Sequence, residues 1–162
     1  MKRVSIAVAA IAAIIALDQW TKSIARARWV LPRHYLGGNV TLMHTENSGA
    51  FLSLGANLPP LARTLIFSGF VTLILVALIV SVVTGNVRRR IDVIASLLII
   101  GGGIGNLIDR IMRDGRVTDF IYLAAGPLHT GIFNVADMAI TLGVAWLFVS
   151  SLIPRKVSTP RS

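Results

Sequence analysis

Four apolar runs constrain this chain more than anything else in its sequence: Val4 to Leu17 with a polar extension to about Ser23, Leu61 to Val83, Val93 to Ile108, and Ile132 to Ile153. Each approaches the roughly 20 residues a helix needs to cross the hydrocarbon of a bilayer. The chain is 54% hydrophobic and 14% charged over 162 residues, with a mean hydropathy of +0.74. Those values lie outside the range of a soluble domain and indicate an integral membrane protein. Lys2 and Arg3 before the 14 residues from Val4 to Leu17 also fit a secretory signal. No small-residue cleavage site closes that run, and Asp18-Gln19-Trp20-Thr21-Lys22 continues it in helix-compatible sequence. It is therefore read as a span.

The expected architecture is a single α-helical membrane domain over 1–162, with four transmembrane helices at about 4–23, 61–83, 93–110 and 134–153. Segments 24–60 and 111–133 then share one side of the membrane. In the first, the alternation around Asn39-Val-Thr-Leu-Met-His-Thr and turn residues at Gly37-Gly38 and Asn47-Ser-Gly49 predict short β structure. In the second, Arg116-Val-Thr-Asp-Phe-Ile-Tyr has a similar extended character and is a candidate to pair with it. Parity puts both termini and the Gly85–Asp92 loop on the other side. Eight basic residues fall on each side, so the positive-inside rule returns a tie, which the Arg88-Arg89-Arg90 cluster tips only as a tendency.

The net charge of +9 lies in clusters beside apolar runs, where it meets lipid head groups; nucleic acid is not the expected partner. Cysteine is absent, which removes disulfides, thiol nucleophiles and cysteine-ligated metals. His34, His44 and His129 have no metal-binding spacing, so no metal is expected. Ser48, Ser53 and Ser68 lack the setting of a nucleophile elbow.

Of the seven acidic residues, six share one side: Asp18, Glu46, Asp109, Asp114, Asp119 and Asp137. Counting back about 20 residues from Ile153 brings the fourth span to Asn134, so Asp137 lies one turn inside, roughly 4 to 5 Å below the boundary. The third run has only 16 positions, which draws Asn106, Asp109 and Arg110 to the same boundary. The shortness of the first run does so for Asp18 and Lys22. Ionisable groups at such depth mark function by default. Asp18 and Lys22, spaced i, i+4, also read as an ion pair at a helix end, and Asp109 with Arg110 or Arg113 as a similar tie. Glu46 and Asp114 read as solvated. Gly101 and Gly105 form a small-xxx-small pattern, which favours close helix packing over a phosphate loop.

Asp119 and Asp137 differ, because each stands in an apolar neighbourhood without a cation at helical spacing. If the loop folds Asp119 over the start of the fourth helix, two carboxyls meet and one stays protonated, giving one acid and one base. Such a dyad can activate water against a peptide carbonyl. Structural hydrogen bonding and a proton relay remain open alternatives for the same residues. A channel predicts polar residues through the full depth, whereas the second span and the far halves of the others are almost devoid of them.

Five ordered motifs then carry a family likeness: Asp18-Gln-Trp-Thr-Lys22, Glu46-Asn47-Ser-Gly49-Ala-Phe51, Gly101-Gly-Gly-Ile-Gly-Asn106-Leu-Ile-Asp109-Arg110, Val117-Thr-Asp119-Phe-Ile121 and Phe133-Asn134-Val-Ala136-Asp137. Through nearly its whole length the chain resembles lipoprotein signal peptidase, the type II signal peptidase of bacteria. The resemblance implies that Asp119 and Asp137 are a catalytic aspartate dyad. It implies that Asp18, Lys22, Asn47, Gly49, Gly102, Asn106, Asp109, Arg110, Asn134 and Ala136 support or line the site. It further implies a monomeric enzyme of the bacterial inner membrane, with cytoplasmic termini, an extracytoplasmic β-containing cap and no cofactor. The implied substrate is a prolipoprotein carrying diacylglyceryl on a cysteine, cleaved just before that cysteine. The stretch 24–44 and the tail after Pro154 are the less similar parts.

Overall fold

The computed structural model describes residues 2–48 and 59–153. In chain order the elements are α1 (Lys2–Arg28), β1 (Arg33–Tyr35), a 3-10 turn (Leu36–Gly38), β2 (Val40–Asn47), α2 (Pro60–Val83), α3 (Arg90–Met112), β3 (Val117–Ala125), β4 (Leu128–His129) and α4 (Val135–Leu152). Three helical stretches are long and apolar enough to cross a membrane: Val4–Arg28, Arg90–Met112 and Val135–Leu152. In α2 the apolar stretch among the described residues is shorter, Ser68–Val83. The outward faces match a lipid solvent: Phe70, Leu73, Leu142 and Phe148 all stand exposed.

Local chemistry accounts for the helix boundaries. Pro60 occupies the first turn of α2, where its missing N–H is no loss. After Val83 the chain stops at Thr84, and Gly85 takes the left-handed conformation, φ 75°, that closes a helix. Asn134 caps α4 through a reciprocal box with Asp137. The first helix runs past the expected end near residue 23 to Arg28, and Arg26 and Arg28 in its last turn suit the negative pole there.

α3 is the hub, packing against α1, α2 and α4. Three consecutive glycines make this possible, because residues 100° apart on a helix look toward different neighbours. A Cβ on Gly101 would lie 2.9 Å from Ile14 of α1, one on Gly102 2.5 Å from the Ala136 carbonyl of α4, and one on Gly103 2.6 Å from Leu75 of α2. Gly143 repeats the device in α4, where a Cβ would lie 2.6 Å from the Ala95 carbonyl.

The strands form one antiparallel sheet in the order β1-β2-β3-β4. The expected pairing of the two extended segments is present as β2 against β3, with Thr45 opposite Asp119, Glu46 opposite Thr118 and Asn47 opposite Val117. A register shift between Leu42 and Thr45 interrupts the ladder just before those pairs. Phe133 bridges to Ile121, tying the strand that carries Asp119 to the residue before the cap of α4.

Candidate active site

Asp119 sits on β3 and is 2% exposed. Asp137 is the third residue of α4 and is half-buried. Asn134 joins them. Its Nδ2 donates to Asp119 Oδ1 at 2.7 Å, its Oδ1 accepts from the Asp137 backbone N–H at 2.9 Å, and its own backbone N–H donates to Asp137 Oδ2 at 3.2 Å. The capping box of α4 thus fixes the orientation of both carboxylates. The apolar neighbourhood read from sequence around Asp119 is only half the picture, since two amides reach it: Asn134 and Asn47, whose Nδ2 donates to Asp119 Oδ2 at 2.8 Å.

Behind this pair lies a buried charged cluster. Lys22 and Asp18, both 0% exposed, are 2.8 Å apart, and Lys22 is 3.2 Å from Asp109. Lys22 Nζ also donates to Asn106 Oδ1 at 2.9 Å. An ammonium only donates, so the Asn106 amide must turn its oxygen to Lys22 and its Nδ2 away. That Nδ2 donates to Asp137 Oδ1 at 2.8 Å. Lys22, with only Asn106 between it and Asp137, therefore sets the polarity of a donor to that carboxylate. Asp18 Oδ1 accepts from the Ala136 backbone N–H at 3.0 Å, in the buried first turn of α4, where a negative charge is favourable. A buried ion pair is costly unless every member is hydrogen-bonded, and here α1, α3 and α4 each supply partners.

Gly102 lets the Ala136 backbone approach α3, and a Cβ on Gly105 would lie 2.7 Å from Asp18 Oδ2. The Arg110 guanidinium is within electrostatic reach of Asp137 and Asp119, and its Nη1 donates to the Asn106 carbonyl at 3.4 Å. Gly49 lies outside the described residues. The tie expected between Asp109 and Arg110 or Arg113 is secondary: Arg113 is 3.8 Å away, whereas Lys22 and the Thr118 N–H, 3.0 Å from Asp109 Oδ2, are closer.

Glu46, expected to be solvated, is instead three-quarters buried. Its Oε1 accepts from Thr118 Oγ1 at 3.1 Å and lies 2.8 Å from His44 Nε2. Arg26 donates to Thr118 Oγ1 at 3.1 Å, and Trp29 packs on Phe120 with ring centroids 5.4 Å apart. The residues flanking Asp119 are thereby held by α1, β2 and α3. Gln19 adds a further bridge, its Nε2 lying 3.1 Å from the Gly105 carbonyl and within 3.3 Å of both Asp18 and Asp109. Sequence reading did not single out Thr118, Arg26 or Gln19 individually; only the neighbourhood of Thr118 and Gln19 to motif acids signals them.

Burial pushes the Asp119 carboxyl up from 3.8 to about 6. The hydrogen bonds from Asn47 and Asn134 and the charge of Lys22 oppose that rise, and the charge of Asp137 adds to it. One carboxyl that holds a proton into the weakly acidic range, beside a second that accepts two hydrogen bonds, is an acid and base at one place. That arrangement can take a proton from water and give one to a carbonyl oxygen. Among the described residues no group of three or more His, Cys, Asp or Glu is placed to hold a metal ion.

The family model described as "Signal peptidase (SPase) II" matches residues 10–153. A protein of Syntrophus aciditrophicus named lipoprotein signal peptidase is 36% identical over 146 residues, covering 88% of this chain and 89% of the relative. A protein of the same name from Francisella tularensis subsp. novicida is 34% identical over 150 residues, covering 90% of each chain. A solved structure titled as a bacterial membrane enzyme superposes with a TM-score of 0.82 at 23% identity, covering 98% of this chain and 95% of that one.

Proposed function

The chain belongs to the signal peptidase II family, and from that premise we propose that Asp119 and Asp137 are the catalytic pair with which it cleaves prolipoprotein signal peptides. The observation that carries this reading is Asn134, which touches both carboxylates and holds them at one end of the helices. Asp137 takes a proton from a water while the water oxygen attacks the scissile carbonyl carbon. Protonated Asp119 donates to the carbonyl oxygen as it gains charge. Proton return to the amide nitrogen then lets the C–N bond break, releasing the signal peptide and the new amino terminus. Asn47 and Asn134 hold Asp119, Asn106 holds Asp137, and the Asp18–Lys22–Asp109 cluster fixes Asn106.

The substrate is a prolipoprotein with diacylglyceryl on its cysteine, cut immediately before that cysteine. A site one turn inside α4 suits it, because acyl chains stay in the bilayer while the peptide bond reaches water. The same reading places the enzyme in the bacterial inner membrane with four crossings, cytoplasmic termini and the sheet on the extracytoplasmic side. A single chain supplies every group named in the mechanism.

Asp119→Asn and Asp137→Asn should each reduce cleavage of a purified lipidated precursor by about 10²-fold to 10⁴-fold or more, the usual span for a positioned acid or base. Gel-shift of the precursor measures it, with membrane accumulation of each variant as the folding control. Full cleavage by either folded variant would remove the dyad.

A further inference from the structure

A second polar cluster lies at the opposite end of the helices, and the peptidase chemistry leaves it unused. It lines a cavity of about 700 Å³, with Ser81 in the last turn of α2, Asn86, Arg88 and Arg89 between α2 and α3, and Ser150 and Ser151 at the end of α4. Ser150 lies 13 positions after Asp137 on α4, about 20 Å of helix, so the two sites stand at opposite ends of it. Arg89 is fixed at the wall, its Nη1 donating to Oγ of the buried Ser150 at 3.3 Å. The one acid in the lining, Asp92, accepts from Trp146 Nε1 at 3.0 Å. Two guanidiniums against one carboxylate leave the lining positive.

The surroundings say which anion this suits. The cavity opens where α2 and α4 end and α3 begins, beside side chains that face a bilayer: Val80, Val83, Val149 and Leu152 are all exposed. Trp146 is partly exposed at the same level, as tryptophans are at membrane interfaces. A phosphodiester matches the guanidinium forks, and basic pockets between membrane helices are sites for anionic lipid head groups. We propose that this cavity binds the head group of an anionic phospholipid, its phosphate on Arg88, Arg89 and the hydroxyl of Ser150, its acyl chains along the exposed faces of α2 and α4. A glycerol head group would place hydroxyls toward Asn86 and Asp92. Free inorganic phosphate can use the same donors but gains nothing from the apolar faces.

The test uses full-length protein stripped of lipid in detergent, then offered phosphatidylglycerol, phosphatidylcholine or inorganic phosphate, with retained lipid read by native mass spectrometry and unfolding by temperature. Phosphatidylglycerol should be retained at least tenfold better than phosphatidylcholine and should raise the unfolding temperature. The double variant Arg88→Gln/Arg89→Gln should lose that retention. Ser151→Leu, which keeps every charge but narrows the cavity, should lose it too, while Arg28→Gln/Arg33→Gln, exposed cations at the far end, should keep it. Unfolding of each variant in lipid-free detergent establishes that it is folded. Equal retention of phosphatidylcholine overturns the proposal. So does a stabilisation matched by inorganic phosphate alone, undiminished retention in both cavity variants, or an equal loss in the far-end variant. None of these readouts depends on peptide cleavage.

Discussion

Asp119 is held between two opposing influences, and Asn47 is the one that can be removed without dismantling a helix. Burial raises the carboxyl toward about 6, whereas the amide of Asn47 stabilises its ionised form. The proposed acid role needs the proton, so kcat/KM should fall as pH rises through about 6 in the free enzyme. Deleting the Asn47 donor removes stabilisation of the carboxylate and raises its pKa further. A hydrogen bond to a charged group is worth about 1.5 to 3 kcal/mol, and about 1.4 kcal/mol is one pKa unit. Asn47→Ala should therefore move the alkaline limb upward by about one to two units, measured as kcat/KM against pH on a lipidated precursor. An unmoved or lowered limb would show that Asp119 is not the titrating acid. The two aspartates themselves were legible as residues, because carboxylates in apolar sequence stand out. Their partners were less so: Asn47 and Asp119 are 72 positions apart, and the switch of Glu46 from solvent to a bond with Thr118 depends on strand register, which composition does not encode.

At the scale of elements, the glycines of α3 set how closely the carboxylates proposed as catalytic can be brought together. Gly102 faces the backbone of Ala136 at the start of α4, one residue before Asp137, whereas the nearest neighbour of Gly103 is the side chain of Leu75. Backbone cannot give way as a side-chain end can. Gly102→Ala should cost about 1 to 3 kcal/mol of stability through overpacking and lower kcat by displacing α4 from α3. Gly103→Ala should cost less and leave kcat near the wild-type value, since a rotamer change of Leu75 makes room. Thermal unfolding and turnover of the two variants separate these outcomes, and equal turnover in both would contradict the role given to Gly102. The glycine run and its use in helix packing were readable from spacing. Which neighbour each glycine serves was not, because that depends on the rotation of α3 within the bundle.

For the whole molecule, the division between the end that carries Asp119 and Asp137 and an opposite basic end is what orientation in the membrane must respect. The helices were legible because apolar runs of this length have few alternatives, and the sheet because its two halves alternate and pair. Orientation was not, since eight basic residues on each side cancel the charge rule. The absence of cysteine makes the question directly measurable, because a single introduced thiol is the only one in the chain. Leu128, exposed on β4, and Asn86, exposed between α2 and α3, report the two ends. With the sheet extracytoplasmic, Leu128→Cys should react with a membrane-impermeant maleimide on intact spheroplasts, and Asn86→Cys only after the membrane is opened. The reverse pattern would put the carboxylates on the cytoplasmic face. A precursor whose signal peptide has already delivered its lipidated cysteine to the outer surface could not then meet Asp119 and Asp137, so labelling of these two positions tests the proposed substrate geometry as well as the topology.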